Sequence, residues 1–339
     1  VLAMLKFLSR FASKSALELI KKQIRKLRRR TFELELSKGF QRLEPRRVLT
    51  VQGIFDPGLG SLSVQITPGG NTQATLAGLD ANQFYLDTDG NFLFDAGSDI
   101  VGAKSDLKIL DVKGTLGSPS NIGSFLWQDH FGSLFNLDQI SISDVASAKL
   151  DLIANIDVSN DSKISASNSV TILNSIPPVA PNNPSLHFGN NLDIQATGVN
   201  ASIFVNLDYR LVVDQTLSLH ADQGSITLSD LEANSITVSA QGNILDADNN
   251  NDQVDLIANQ ISLTSTQGSI GSQLNNILTA DATTTTLRSI EFEYRSPGTH
   301  SASFIATQGT VSIHSNDLPT LVDSNKLWLV SNSSIQANN

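Results

Sequence analysis

Gln223-Gly224-Ser225-Ile226, Gln241-Gly242-Asn243-Ile244 and Gln267-Gly268-Ser269-Ile270 are three copies of one short phrase. A looser copy follows at Gln308-Gly309-Thr310-Val311. Longer context precedes the second and third copies. Leu231, Ala233-Asn234, Ile236 and Val238 lead into one; Leu256, Ala258-Asn259, Ile261 and Leu263 lead into the other. The offset is 25 residues through that block and 26 at the glycine. A near-fixed period filled with two-residue alternation predicts an all-β fold of stacked coils, a β-solenoid. One coil cannot bury its inward Leu, Ile and Val alone. Stacked on a neighbour, like residues align in columns and the backbones pair along the axis. The recurring glycine is expected to allow a corner at which a Cβ would be strained.

The alternation extends beyond the phrase. Ile140/Ile142, Leu150/Leu152, Ile156/Val158 and Val170/Ile172 precede a break at Ile176 to Pro184. Prolines that cannot join a ladder make that break a protruding loop. Leu192/Ile194, Ile203/Val205, Leu211/Val213, Leu217/Leu219, Ile261/Leu263, Ile290/Phe292 and Val311/Ile313 resume the pattern. Gly, Asn, Thr and Ser interrupt any helical stripe here. A β-sandwich stays open as an alternative, although it would not require the 25-residue near-identity.

Charge divides the chain. Residues 1–50 hold 14 Lys/Arg and 4 Asp/Glu; the rest holds 9 and 29. A basic leader on an acidic body predicts two separate tasks. Leu5, Leu8, Ala12, Ala16, Leu19, Ile20, Ile24 and Leu27 form a helical stripe, with Lys21, Lys22, Arg25, Lys26 and Arg28 to Arg30 on other faces. A basic amphipathic N-terminal helix is therefore expected. It suits an anionic membrane surface or an export receptor, against the plainer reading of a solvated helix. The acidic body speaks against nucleic acid as a partner. No run approaches the apolar length of a membrane span. With no cysteine, disulfides and thiolate metal sites are excluded.

After the leader comes Leu43-Glu44-Pro45-Arg46-Arg47-Val48-Leu49. This resembles the LEPR-XLL motif of large exported bacterial proteins. Leu43, Glu44, Pro45 and Arg46 match directly, and Val48 and Leu49 stand for the paired apolar residues. The resemblance implies a secreted or cell-surface protein whose residues 1–50 meet export or sorting machinery, and it implies no catalysis.

Residues 51–136 read as a β-rich capping region, and 137–339 as the repeats. Within the cap, Phe84 and Leu86 are expected to pair with Phe92 and Phe94 in a hairpin across Asp87 to Asn91. Leu107, Ile109 and Val112 read as another strand. Phe125, Trp127, Phe131 and Phe135 suit a sugar-stacking surface or, more commonly, a hydrophobic brace.

Two acidic stretches are candidates for calcium, which needs several hard oxygens close together. Asp87, Asp89, Asn91 and Asp95 form one. Asp246, Asp248 and Asp252 form the other, in a loop after Ile244-Leu245. The first lacks the glycine and glutamate of an EF-hand loop, and the second reads equally as an Asn/Asp-rich corner. Other cofactors are not called for.

The repeats resemble the β-helical repeats of filamentous haemagglutinin-like adhesins, through apolar alternation and Gly-[Ser/Asn]-Ile corners over residues 190–315. That resemblance implies a right-handed parallel β-helix and a role in adhesion or surface structure, with surface glycans or proteins as partners. The expected function is a non-enzymatic cell-surface scaffold. The alternatives are a calcium-stabilised surface module and a carbohydrate-active β-helix enzyme, a polysaccharide lyase or hydrolase. A hydrolase needs two carboxylates at fixed separation, and a lyase needs a basic residue beside acidic ligands. Arg210, Arg288 and Arg295 lie far in sequence from the acidic loop, and His130, His187, His220, His300 and His314 are isolated from one another.

Overall fold

The computed structural model describes residues 51–67, 73–88, 91, 93–96, 98–115, 123–175, 184–247, 254–273, 287–288, 290–295, 301–314 and 321–330. The expected leader helix and the motif at Leu43 to Leu49 lie outside them, as do Asp89, Asp248 and Asp252. In chain order the strands begin with β1 (Val51–Asp56), β2 (Ser61–Ile66), β3 (Gln73–Gly78), β4 (Gln83–Asp87), β5 (Ile100–Ala103), β6 (Ile109–Gly114), β7 (Ser124–Asp129) and β8 (Leu134–Leu137). Next come β9 (Gln139–Leu152), β10 (Asn155–Val158), β11 (Ser162–Leu173), β12 (Ser185–Phe188), β13 (Leu192–Val199), β14 (Ser202–Asn206), β15 (Leu211–Gln223) and β16 (Ile226–Leu228). Then follow β17 (Leu231–Ala240), β18 (Ile244–Asp246), β19 (Leu256–Ile257), β20 (Gln260–Ser265), β21 (Ser272–Gln273), β22 (Leu287–Arg288), β23 (Ile290–Glu293), β24 (Ser301–His314) and β25 (Leu321–Val330). Among the described residues the only helical element is a single 3-10 turn, Lys104–Asp106.

Three parallel ladders organise these strands. The first runs β8, β10, β12, β15, β17, β19, β23. The second runs β2, β6, β9, β11, β13, β15, β17, β20, β24, β25. The third runs β3, β7, β9, β11, β14, β16, β18, then through Ile270 to β24 and β25. The chain is all-β with a long, mostly parallel sheet, which excludes the antiparallel β-sandwich. Parallel pairing crosses residue 136 without a break, since β6 and β7 both pair with β9. The long strands serve two ladders each. Register shifts at Ile164/Ala166, Val213/Thr216 and Ala306/Thr310 mark where they bend.

The columns are the reason for the stack. In the second ladder Val64, Val112, Ile142, Ile164, Ile194, Leu219, Val238, Leu263 and Phe304 are successive partners, each at most 1% exposed. Val238 pairs with Leu263, 25 residues on, as the repeat required. All four copies of the phrase stack in the third ladder, through Ile226, Ile244, Ile270 and Val311. Ala166, Ala196, Ala221, Ala240, Ser265 and Ala306 form a column of small residues at the bend. Ser265 keeps its hydroxyl satisfied there. It donates to the Gly242 carbonyl at 2.7 Å and accepts from the Gly268 N–H at 3.0 Å.

The glycine of the phrase has a different cause from the one expected. Among the positive-φ residues are Gly60, Gly132 and Gly271, but not Gly224, Gly242 or Gly268. Close approach between coils excludes the side chain instead. A Cβ on Gly224 would lie 1.5 Å from the Ala201 carbonyl oxygen, and one on Gly268 would lie 2.4 Å from the Gly242 carbonyl carbon.

The predicted hairpin is corrected. Phe84 and Leu86 pair antiparallel with Gly102 and Ile100 of β5, while Leu93 and Phe94 lie outside any strand. Among the described residues between β4 and β5, Asn91, Asp95 and Asp99 are linked by side-chain hydrogen bonds. The strand expected at Leu107 begins at Ile109, and its inward residues are Leu110 and Val112; Leu107 is buried in the connection before it.

Antiparallel strands close the first rungs. β1 pairs with β2, and β4 with β3. The row of backbone groups that the second and third ladders would leave open at this end is therefore used. Phe55 meets Phe84 edge-on at 5.2 Å between the two. Phe125, Trp127 and Phe135 are at most 1% exposed, with Trp127 edge-on to Phe135, so they brace the core rather than offer a stacking surface. Phe131 is half-exposed.

Candidate functional site

Polar side chains collect along one edge, where the chain passes from the third ladder to the first. Asp129 ends β7, Asp151 lies near the end of β9, Asp246 ends β18 and Asp255 precedes β19. All four are at most 3% exposed. Asp87, also fully buried, is not on this edge: β4 runs antiparallel to β3, which sets Asp87 opposite Thr75. Long connections gather on the same edge, from Leu173 to Ser185, from Asp246 to Leu256 and from Ile270 to Ile290. Insertions placed in connections between strands leave the stacked columns undisturbed.

The best-enclosed cluster centres on Lys104. Its ammonium is 2.6 Å from Asp129 Oδ2, and the two side chains are 2% and 0% exposed. It also donates to the Asp80 carbonyl and to the Ser133 hydroxyl. Three acceptors meet the three protons of a lysine. Ser133 in turn donates to Asp129 Oδ1 at 3.0 Å, and the Phe131 N–H donates to the same oxygen at 3.1 Å. The rings of Phe131 and Phe135 stand 5.4 and 5.5 Å from the ammonium. A serine beside a lysine invites comparison with a nucleophile and its base. Here the ammonium is held by a carboxylate and Ser133 is 3% exposed, so an external substrate cannot reach it.

Asp151 anchors the adjacent rung. Burial alone would push its carboxyl up. Hydrogen bonds from Ser175, His130 and Lys149 outweigh that and hold it below the ordinary carboxylate value. His130 Nε2 is 3.1 Å from Asp151 Oδ1, and Lys149 Nζ is 3.3 Å from Oδ2. Tyr209 donates its hydroxyl to the Leu152 carbonyl at 2.8 Å; burial, then the Asp151 and Asp208 charges, push its phenol up. Farther along, Arg210 and Arg295 both reach Glu232, at 3.5 and 3.2 Å. Sequence distance concealed this trio, because its members come from three different coils.

One ionic bridge lies on the outer face of the first ladder. His187 Nδ1 is 2.7 Å from Asp157 and Nε2 is 3.2 Å from Asp214. Partial burial lowers the imidazole pKa, but hydrogen bonds to Asp157 and Asp214 and their charges raise it, with a net rise above 6.5. A histidine isolated in sequence is thus tied to both neighbouring coils.

The expected calcium residues are placed as follows. Asn91 donates to Asp95 Oδ2 at 2.6 Å and accepts the Leu93 N–H, while the Asp95 N–H donates to Asp99 at 2.7 Å. These oxygens fold their own loop, as short Asx turns do. Asp246 is not in a loop as expected. It occupies β18, opposite Leu228, in an inward column. β7, β9, β11, β14 and β16 separate its strand from β3 in the third ladder, and β4, which bears Asp87, lies beyond β3. Among the described residues no group of three or more His, Asp or Glu is arranged to hold a metal ion.

Compared with protein-family models, with curated proteins and with solved structures, the chain has no match in any of the three.

Proposed function

We propose that this protein is a non-enzymatic, exported or cell-surface scaffold. Its stacked coils form a right-handed parallel β-helix that offers an extended face to surface glycans or proteins. Right-handedness rests on the general preference of parallel crossovers for that sense. A basic amphipathic helix and the Leu43-Glu44-Pro45-Arg46 segment address residues 1–50 to export or sorting machinery or to an anionic membrane surface. The observation that carries the scaffold reading is the outward row of the second ladder. Ser218, Thr237, Ser262 and Ser303 are direct partners there, followed two residues on by His220, Ser239, Thr264 and Ile305. A face made mostly of hydroxyls on a rigid frame suits contact over area rather than bond cleavage.

A lyase or hydrolase would instead gather carboxylates, unpaired and reachable, beside a base. Asp129 is enclosed, and Asp157, Asp214 and Glu232 are engaged by His187, Arg210 and Arg295. The targeting part is tested by fusing residues 1–60 to a reporter in the source organism. Reporter recovered at the cell surface or outside supports it, and reporter confined to the cytoplasm contradicts it.

A further inference from the structure

The geometry points to a covalent cross-link between Lys104 and Asp129, an amide formed within the folded chain by loss of water. The nucleophile is in place: Lys104 Nζ stands 2.6 Å from Asp129 Oδ2. So is the support for the reacting carbonyl. Oδ1 accepts the Phe131 N–H at 3.1 Å and the Ser133 O–H at 3.0 Å. Two donors on one oxygen are what stabilises the oxyanion of a tetrahedral intermediate. Oδ2 is the leaving oxygen, and among the described residues no hydrogen-bond donor but the Lys104 ammonium faces it. Gly78 makes room beside it, since a Cβ there would lie 2.7 Å from Oδ2.

The step balances without a co-reactant. The ammonium passes one proton to Oδ2, which converts the ion pair into an amine and a carboxylic acid. The amine nitrogen attacks Cγ, and the charge that develops on Oδ1 is held by Phe131 N–H and Ser133 O–H. Oδ2 takes a second proton from the nitrogen, the Cγ–Oδ2 bond breaks, and water leaves. One amide N–H remains, facing the Asp80 carbonyl and the Ser133 oxygen that the ammonium now uses. Enclosure favours the product, because two buried charges are replaced by a neutral amide whose oxygen keeps both donors. Proximity of this kind removes the entropic cost of bringing amine and acid together.

The cross-link would tie the turn after β5 to the last residue of β7, and so fasten the capping strands to the first coils. A chain without cysteine has no disulfide for that task.

Intact mass of the purified, denatured full chain tests the proposal, followed by tryptic mapping. The expected mass is one water below that of the sequence, with the peptides bearing Lys104 and Asp129 recovered joined and Lys104 resistant to trypsin. Lys104→Arg and Asp129→Ala are expected to restore the full mass. An unmodified mass in the wild-type chain overturns the proposal, whether or not either variant folds. A missing water that maps elsewhere, such as an imide at Asp89-Gly90, overturns it as well.

Discussion

At the residue scale, the glycine of the repeated phrase was legible as a corner, but its physical cause was not. Sequence shows a glycine; only the stacked backbones show that the neighbouring coil occupies the place of a Cβ. Gly224→Ala is therefore expected to destabilise the protein by about 1–3 kcal/mol in urea unfolding, the range for an overpacked core. Gly189→Ala is the contrast. Its nearest neighbour would be at 3.5 Å, an ordinary contact, so little change is expected. His187 makes a second prediction at this scale. Its pKa is raised in the fold by Asp157 and Asp214, which outweigh partial burial. Its contribution is fully present below the unfolded value near 6.5 and is lost as pH rises through the higher folded value. Wild-type melting temperature relative to His187→Gln should thus be higher at pH 6 than at pH 9. Equal differences at both pH values would contradict the bridge. Sequence could not foretell it, because a residue's partners one coil away depend on connection lengths.

At the scale of the element, strands with clean alternation were predicted well. Ile140/Ile142, Val170/Ile172, Leu192/Ile194, Leu217/Leu219 and Ile236/Val238 all face inward. Errors arose where short-range turn chemistry was used to choose a partner. Asp-Gly after Leu86 favours a tight turn, yet β4 waits until Ile100 for its partner because the intervening Asn91, Asp95 and Asp99 build a loop of their own. The run of Asp and Asn from Asp246 suggests a loop, whereas the register with Leu228 puts Asp246 in a strand. The cap makes a stability prediction. Phe84 is 1% exposed and meets Phe55 edge-on, so Phe84→Ala is expected to cost about 3–5 kcal/mol. Because that loosens β1 and β4 from the first rungs, concentration-dependent aggregation should accompany the loss, measured by light scattering. A stable, monodisperse variant would show that the cap does not protect these edges.

For the whole molecule, the near-identity of 231–238 with 256–263 was the strongest forecast, since one coil stacks on the next with that offset. The third ladder could not be foreseen as readily, because its steps of 18, 26 and 41 residues hide a constant geometry behind changing connections. Stability that depends on neighbouring coils predicts tolerance to removing a whole one. Deleting residues 235–259 should leave the β-type circular dichroism intact, whereas deleting 235–246 should abolish it by breaking the register. The central claim, parallel coils in a defined register, is tested most directly by cross-linking. The chain has no cysteine, and Thr237 and Ser262 are direct partners on the outer face. Neighbouring strands lie about 4.7–4.9 Å apart, within reach of a disulfide. Thr237→Cys with Ser262→Cys should oxidise rapidly to an intramolecular disulfide in the folded protein, while Thr237→Cys with Thr264→Cys, one outward position off register, should not. Faster closure of the off-register pair, or none in the first, would contradict the stack.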